Sequence, residues 1–386
     1  MRKPILIVGA GFAGACYART LAEAGYCVKV IDQRDHIGGN AFDFVDENGI
    51  RRHRYGPHLF HTNNERVVSW LAKFGAWAPY EHRVRAQLAD GNFVPMPVNL
   101  ETVSAVFGRS FNSKDEVRRH LQSVAIACAD PKNAAEHLYS QIGVQLTDLF
   151  FRRYTKKMWA MDLEEMDAAV VKRVGIRFDL EDRYFPNDAF QCMPQDGYTS
   201  IFENIFAHDN ISVELRVRFE KRMEVDFEHV FNSMPIDEYY AFEFGELPYR
   251  SIRFHHRTST DRAATLWATT NYTDEGPLTR ETAWHLLPNH IVEDTGRYTY
   301  TTEEPCDYRD NNLERYYPVK TADNRYDKIY QAYKTKADSE GHCSFIGRCG
   351  TYQYLDMHQV INQSLMGADA WLAEHAALQL SRVDEA

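Results

Sequence analysis

A strand running straight into a glycine-rich turn opens the chain: ILIVGAGFAG, residues 5–14, carries Gly9, Gly11 and Gly14 in G-x-G-x-x-G spacing. Each glycine answers a different steric demand. Gly9 makes the tight turn, Gly11 lets backbone approach a diphosphate, and Gly14 lets the next helix pack close to the strand. A diphosphate would then lie on that helix's N-terminus, where unpaired N–H groups and the helix dipole favour negative charge. The helix reads from Phe12, with Ala13, Tyr17, Leu21 and Ala24 on one face and a stop at Gly25. A second strand, VKVID, ends on Asp32, about 20 residues past the turn, where an acid accepts hydrogen bonds from an adenosine ribose without a 2′-phosphate. A glycine turn in any parallel sheet can mimic the first motif, and Asp32 alone would be a plain strand-end residue. Strand, turn, helix and acid in this order identify a dinucleotide site.

The 386 residues are 44% hydrophobic and 26% charged, enough to divide a core between two or three domains. No apolar stretch nears the roughly 20 residues of a bilayer span, and residues 1–3 lead directly into a core strand without a signal-peptide core. A cytoplasmic protein without stable membrane association is expected. Cys16, Cys27, Cys128, Cys192, Cys306, Cys343 and Cys349 are scattered, with no CxxC and no metal-ligand spacing, so neither a disulfide framework nor a metal site is indicated. The formal net charge of -11 disfavours nucleic acid as a partner, so any phosphate must be met by particular arginines.

Residues 100–180 read as helices, with Ser113 and Glu116 as a capping box and Pro131 as a break. Residues 240–305 carry short alternating runs (YRSIRF, LWATTNY, GRYTYTTEE) that suit antiparallel strands. FEHVFNSMP at 227–235 and CSFIGR at 343–348 read as buried strands returning to the first sheet, followed by a long helix from about Met357. The expected fold class is α/β. It comprises a discontinuous Rossmann-like cofactor domain (1–80, 205–240 and 335–386), a helical insertion domain (100–180) and an antiparallel β-sheet domain (81–99, 181–204 and 241–334).

The ordered strings VGAGFAG, IDQRDHIGGN, YGPHLFHTNN, FFRRYTKKMW, KRVGIRFDLEDRYFPNDAFQCMPQDGYT, YRSIRF, YYPV and YQYLDMHQV span nearly the whole chain and resemble bacterial UDP-galactopyranose mutases. The resemblance implies an FAD enzyme, active as reduced FADH−, that interconverts UDP-galactopyranose and UDP-galactofuranose without net redox change. Flavin N5 would attack the anomeric carbon to give a covalent adduct, UDP would leave and return, and protein acid–base groups would add little beyond orientation. The furanose product would feed cell-surface polysaccharide. An electron donor such as NAD(P)H or a reductase, and a homodimer, are also implied.

By the same resemblance, Gly9, Gly11, Phe12, Gly14, Asp32, Gln33, Gly39, Asn40, His58, His61, Phe219, Arg348, Tyr354, Asp356 and Met357 hold the cofactor. His61 ends the rigid turn at 55–61 and faces the flavin near N5, and Arg348 lies near the isoalloxazine. Asp356 and Met357 stand where the last helix begins, and its N-terminus would stabilise negative charge near flavin N1 and O2. Phe150, Phe151, Tyr154 and Trp159 recur at helical spacing; as pattern alone such a stripe is usually core, and the resemblance assigns it, together with Thr155, to the substrate. Arg173, in a mobile lid, and Arg280 would grip the diphosphate through guanidinium forks, stabilising charge as the nucleotide departs. Tyr184, Tyr317 and Tyr354 would donate to the same phosphates, and Asn271 would lie near the sugar. His61, Arg173, Arg280 and Arg348 are the expected catalytic residues.

Some positions depart from the family pattern. Ala283, Trp284 and His285 replace a common Glu-His-Lys, Glu304 replaces an aromatic, and Met234 replaces a glycine. Ala283, Trp284, His285 and Glu304 are expected near the sugar and leave its identity open, and Met234 would narrow the approach to the cofactor. Three alternatives remain. One is a mutase for another nucleotide-linked pyranose. Another is a flavin oxidoreductase of the same cofactor fold, which would leave FFRRYTKKMW and both arginines idle. The third is a nucleotide-sugar-binding protein without catalysis.

Overall fold

The computed structural model describes residues 3–172 and 175–384, with side chains to residue 376. The opening strand, Ile5–Val8, is buried throughout, as its unbroken apolar run requires of a strand covered on both faces. It pairs in parallel with Val28–Asp32 on one side and His229–Asn232 on the other. Ile211–Leu215 and Cys343–Phe345 complete a five-stranded parallel sheet drawn from three separate stretches of sequence. Ile5 and Ile7 point into one core, with Tyr17, Leu21, Phe202 and Ile361. Leu6 and Val8 point into another, with Tyr249, Tyr333 and Tyr352.

The helix Phe12–Glu23 packs on the sheet and against the final helix, Met357–Asp384. A Cβ on Gly14 would sit 1.9 Å from Gly9 O and 2.8 Å from Ile7 Cγ2, so only glycine permits this approach. Ala24 does not share the buried face; it is the exposed C-cap, because the helix stops at Glu23.

The helical segment comprises Leu100–Phe107, Lys114–Val124, Ala134–Thr147, Arg153–Trp159 and Ala168–Lys172. Ser113 caps the second helix by accepting the Glu116 N–H at 3.3 Å, while the Glu116 carboxylate reaches one residue further back, to the Asn112 N–H. A π-helical turn, Asp148–Arg152, precedes Arg153–Trp159.

This segment packs on a seven-stranded sheet that also forms the third core, with Val84, Leu138, Phe150, Trp159 and Ile252. The sheet order is Tyr317–Pro318, Tyr249–Ser259, Tyr298–Asp307, Arg280–Ala283, Thr269–Tyr272, Val84–Gln87 and Phe93–Met96. One pair, Thr269–Tyr272 with Val84–Gln87, is parallel and the rest are antiparallel.

Part of the 181–204 segment, grouped with that sheet on sequence, sits elsewhere. Phe190–Pro194 runs between Phe60–Thr62 and Trp77–Pro79 in a separate small sheet, and the helix Tyr198–Phe206 packs on Phe12–Glu23. Alternation in AFQCMP identifies a strand but cannot say which neighbour it joins. The boundary at 335 likewise cuts the helix Arg325–Glu340, which packs on Cys343–Phe345 as one piece. Among the described residues no helix is long and apolar enough to cross a membrane.

Candidate active site

Two adjoining cavities lie where the parallel sheet, the helical segment and the large sheet meet. The first, about 390 Å³, begins at the glycine turn. Gly9 adopts φ +103°, and a Cβ on Gly39 would fall 2.9 Å from Gly11 Cα, so two bare backbones face each other across a slot. Gly11 is the helix N-cap and no side chain caps the helix, which leaves its first N–H groups for an anion.

Asp32 is fixed at the slot's edge. Its carboxylate accepts the Ala10 N–H at 2.8 Å and the Arg34 N–H at 2.9 Å and keeps further lone pairs for ribose hydroxyls. Arg34 reaches Asn40 Oδ1 at 2.9 Å, pairs with Glu314 and lies over the Tyr55 ring at 4.3 Å. Phe12, Gln33 and Phe219 line the same cavity, and so does Met234. Slot, acid and flanking apolar walls fit the adenosine diphosphate half of a dinucleotide.

The second cavity, about 490 Å³, shares Asn40, His58, Arg348, Leu355 and Met357 with the first, so the two form one trough. Tyr354 and Asp356 stand at the junction. One wall is the aromatic stripe, Phe150, Phe151, Tyr154 and Trp159, with Thr155 beside it. Polar ties hold this wall in place. Lys157 Nζ donates to Asp274 Oδ1 and Leu278 O, each at 2.9 Å, and Arg250 Nε donates to Met158 O at 3.0 Å, satisfying a carbonyl at the helix end. Opposite stand Asn271, Arg280, Tyr184 and Tyr317. Every described site residue expected from sequence lines this trough except Gly14, whose place is between helix and strand. Arg173 lies outside the described residues.

The register of the large sheet sets the electrostatics. Arg280 pairs with Asn271 on one side and Glu303 on the other. Its Nη2 donates to the Tyr154 hydroxyl at 3.0 Å, and its Nε is 3.2 Å from Glu303 Oε2. Burial works against the charge on Arg280, but Glu303 and Tyr154 outweigh it and hold the guanidinium above its ordinary range. Burial also pushes the Glu303 carboxyl up, with Arg280 opposing. Asn271 Oδ1 is buried without a hydrogen-bond partner, an acceptor left for a ligand hydroxyl. Arg348 donates to Tyr316 O, lies 5.2 Å from the Tyr354 ring centre and has a buried, unpartnered Nε.

Two cavity imidazoles are kept neutral. Burial lowers His58 to about 4, and burial, then Arg280 and His61, lower His82 to about 3. His61 Nδ1 is 2.6 Å from Asp188 Oδ2, and its ring lies flat on Phe185 at 3.5 Å. Ligand atoms of His61, Asp356 and His358 lie within 4.8 Å of one another, the one grouping among the described residues that could hold a metal ion.

Apart from Met234, the departures from the family pattern fall away from the trough. Trp284 is fully buried, donates to Thr301 Oγ1 at 2.7 Å and packs on His53, and Ala283 shares its small separate core. His285 packs on Tyr298 and Tyr300. Glu304 alternates to the face opposite Glu303, where it pairs with His255 at 2.7 Å and Arg253 at 3.3 Å. None of these four side chains lines the cavity, so their placement beside the sugar is corrected.

Sequence reasoning passed over Arg34, His82, Phe185, Asp188, Glu303 and Tyr316. Phe185 and Asp188 stand in a string already recognised, and alternation along Tyr298–Asp307 would turn Glu303 inward once the cavity face is known.

The sequence matches the family model of UDP-galactopyranose mutase over residues 149–354 and that of an NAD(P)-binding Rossmann-like domain over 7–74. It is 38% identical over 378 residues to a probable UDP-galactopyranose mutase of Klebsiella pneumoniae, covering 97% of this chain and 96% of the relative. It is also 38% identical over 378 residues to a dTDP-fucopyranose mutase of Escherichia coli, covering 95% and 98%. A crystal structure of reduced UDP-galactopyranose mutase superimposes with a TM-score of 0.76 at 17% identity, covering 97% of this chain and 94% of that one. The chain belongs to the UDP-galactopyranose mutase family.

Proposed function

We propose that the protein is a flavin-dependent mutase that interconverts UDP-galactopyranose and UDP-galactofuranose with FAD in its reduced state. One observation carries this reading: the nucleotide-facing aromatics, Arg280 and Asn271 share a cavity that opens directly into the dinucleotide slot at Arg348 and Met357. An oxidase of the same cofactor fold has no use for that wall.

The trough's residues fit FAD. Gly9, Gly11 and Gly39 would take the diphosphate and Asp32 the ribose, while His58, Arg348 and Met357 would flank the ring system. When bound, the reduced flavin supplies a nucleophilic N5 for the anomeric carbon, without net redox change. The chain's own residues do the rest. Phe150, Phe151, Tyr154 and Trp159 orient the base, which fixes the sugar's reach toward the cofactor. Arg280 faces the leaving diphosphate with its fork held by Glu303 and Tyr154, so no reorganisation is needed as charge develops. Tyr184, Tyr317 and Tyr354 supply hydroxyl donors beside it. Neutral His58 and His82 add polarity without a competing charge. Arg173 would join Arg280 on lid closure, excluding water. A reductant such as NAD(P)H, cytoplasmic residence and a homodimer complete the reading.

The E. coli relative favours a second reading, a dTDP-linked 6-deoxy pyranose as substrate. Reduced protein should be given UDP-galactofuranose and dTDP-fucofuranose in parallel and the products separated by HPLC. The proposal expects the higher kcat/KM on the UDP-sugar; the reverse order would replace it with the second reading, and conversion of neither would leave a binding protein.

A further inference from the structure

Tyr317 stands among the hydroxyl donors beside the diphosphate, yet its hydrogen is already engaged: the hydroxyl donates to Met158 Sδ at 2.9 Å. A phenol carries one hydrogen, so donation to this sulfur and donation to a phosphate oxygen exclude each other. Tyr317 and Met158 are 7% and 8% exposed, and both line the second cavity. The contact is therefore made away from bulk water, at the place where a nucleotide would lie.

Both partners are fixed. The Tyr317 ring lies 5.2 Å from that of Trp159 and 5.7 Å from that of Tyr354, and its backbone pairs with Arg250 in the large sheet. The same Arg250 donates from Nε to Met158 O at 3.0 Å, so strand and nucleotide-facing helix are tied together around the sulfur contact. What remains free to turn is the hydroxyl's C–O torsion. Burial holds the phenol well above its ordinary range, so it keeps the hydrogen it must donate. A thioether is a weak acceptor and a phosphate oxygen a charged, strong one.

We infer that Met158 is a positioning residue that sets nucleotide-sugar affinity, its sulfur competing with a diphosphate oxygen for the Tyr317 hydroxyl hydrogen; the inference rests on the mutase reading. Turning the C–O bond moves the hydrogen from sulfur to phosphate with both rings and both backbones in place. The affinity delivered by Tyr317 is the phosphate bond less the thioether bond it replaces.

Met158 also belongs to the core beneath this wall, and packing alone is a sufficient reason for an apolar residue there. The two roles predict opposite signs. If Met158 only packs, a change of shape loosens the wall and weakens nucleotide binding, whatever residue 317 is. If its sulfur holds the hydroxyl, removing the acceptor at constant volume leaves a buried donor unpaired, which a phosphate oxygen then satisfies.

The test is Met158→Leu, which conserves volume and removes the acceptor, made in the flavin-bound protein and again with Tyr317→Phe, and read by calorimetric titration with UDP. With Tyr317 present, Met158→Leu should tighten UDP by about threefold or more and lower the melting temperature measured without nucleotide. With Tyr317→Phe, the same substitution should leave the UDP affinity within about twofold. A smaller or opposite change in the first background, or equal tightening in both, overturns the inference and leaves the mutase reading intact. Wild-type protein that binds no UDP overturns both. Should Met158→Leu fail to fold, biosynthetic replacement of methionine by norleucine, which exchanges each sulfur for a methylene, must tighten UDP in wild type and not in Tyr317→Phe, or the inference falls.

Discussion

Replacing His290 with glutamine isolates one proton's share of this protein's acid sensitivity. Behind the trough, the His58 N–H donates to His53 Nδ1 at 3.0 Å, and neutral His53 then carries its hydrogen on Nε2. That hydrogen faces His290 Nε2 at 3.4 Å, and His290 Nδ1 donates to Pro288 O at 2.8 Å. Every imidazole in the chain needs one hydrogen and one lone pair, so a further proton would set N–H against N–H. His290 is 2% exposed, and burial lowers it from 6.5 to about 4. Between those values the unfolded chain binds a proton that the folded chain refuses. Stability from this group is therefore flat above pH 6.5 and falls as the pH drops toward 4, at about 1.4 kcal/mol per pH unit, or about 2 kcal/mol by pH 5. Glutamine supplies both an acceptor for His53 and a donor for Pro288 without titrating. Urea denaturation should show a modest cost for His290→Gln at pH 7 and a gap that closes or reverses by about 2 kcal/mol at pH 5. Parallel curves for the two proteins from pH 7 to 5 would refute the reasoning.

Gly14→Ala forces a Cβ to within 1.9 Å of Gly9 O, so the purified variant should lack flavin absorbance and melt lower; a yellow, stable variant would contradict the packing argument. Arg280→Ala should reduce kcat by roughly 10²- to 10³-fold with flavin content unchanged, and near-normal turnover would remove Arg280 from the phosphate site. Glu303→Gln leaves a half-buried guanidinium without the carboxylate 3.2 Å away and should destabilise the fold by about 1–3 kcal/mol. UDP should restore more of the melting temperature there than in wild type; an equal or smaller shift would show that the nucleotide does not meet Arg280.

The cofactor half of the fold was legible because its signals are local. Gly9, Gly11, Gly14 and Asp32 lie in one strand–helix–strand unit; Gly9 and Gly14 have the steric roles their positions imply, and Gly11 and Asp32 line the cavity beside them. The substrate wall was harder. Phe150 and Trp159 are core residues by pattern, and they are core residues in the structure as well, with one edge turned to the cavity. Only the resemblance told the two apart. Asp188 and Glu303 could not be found from spacing, since each gains its partner through long-range pairing: Asp188 to His61 across 127 residues, Glu303 to Arg280 through sheet register. The same gap misplaced Ala283, Trp284, His285 and Glu304. Sequence locates the first three just after Arg280, but a short 3-10 turn carries Ala283 and Trp284 into a separate core, and strand alternation turns Glu304 to the opposite face, against His255 and Arg253.

The central claim is that a reduced flavin in this trough rearranges the sugar of a uridine diphosphate sugar. The most direct measurement incubates dithionite-reduced and fully oxidised protein separately with UDP-galactofuranose and follows UDP-galactopyranose by HPLC. The account predicts conversion by the reduced protein alone; equal rates in both redox states, or none in either, would contradict it.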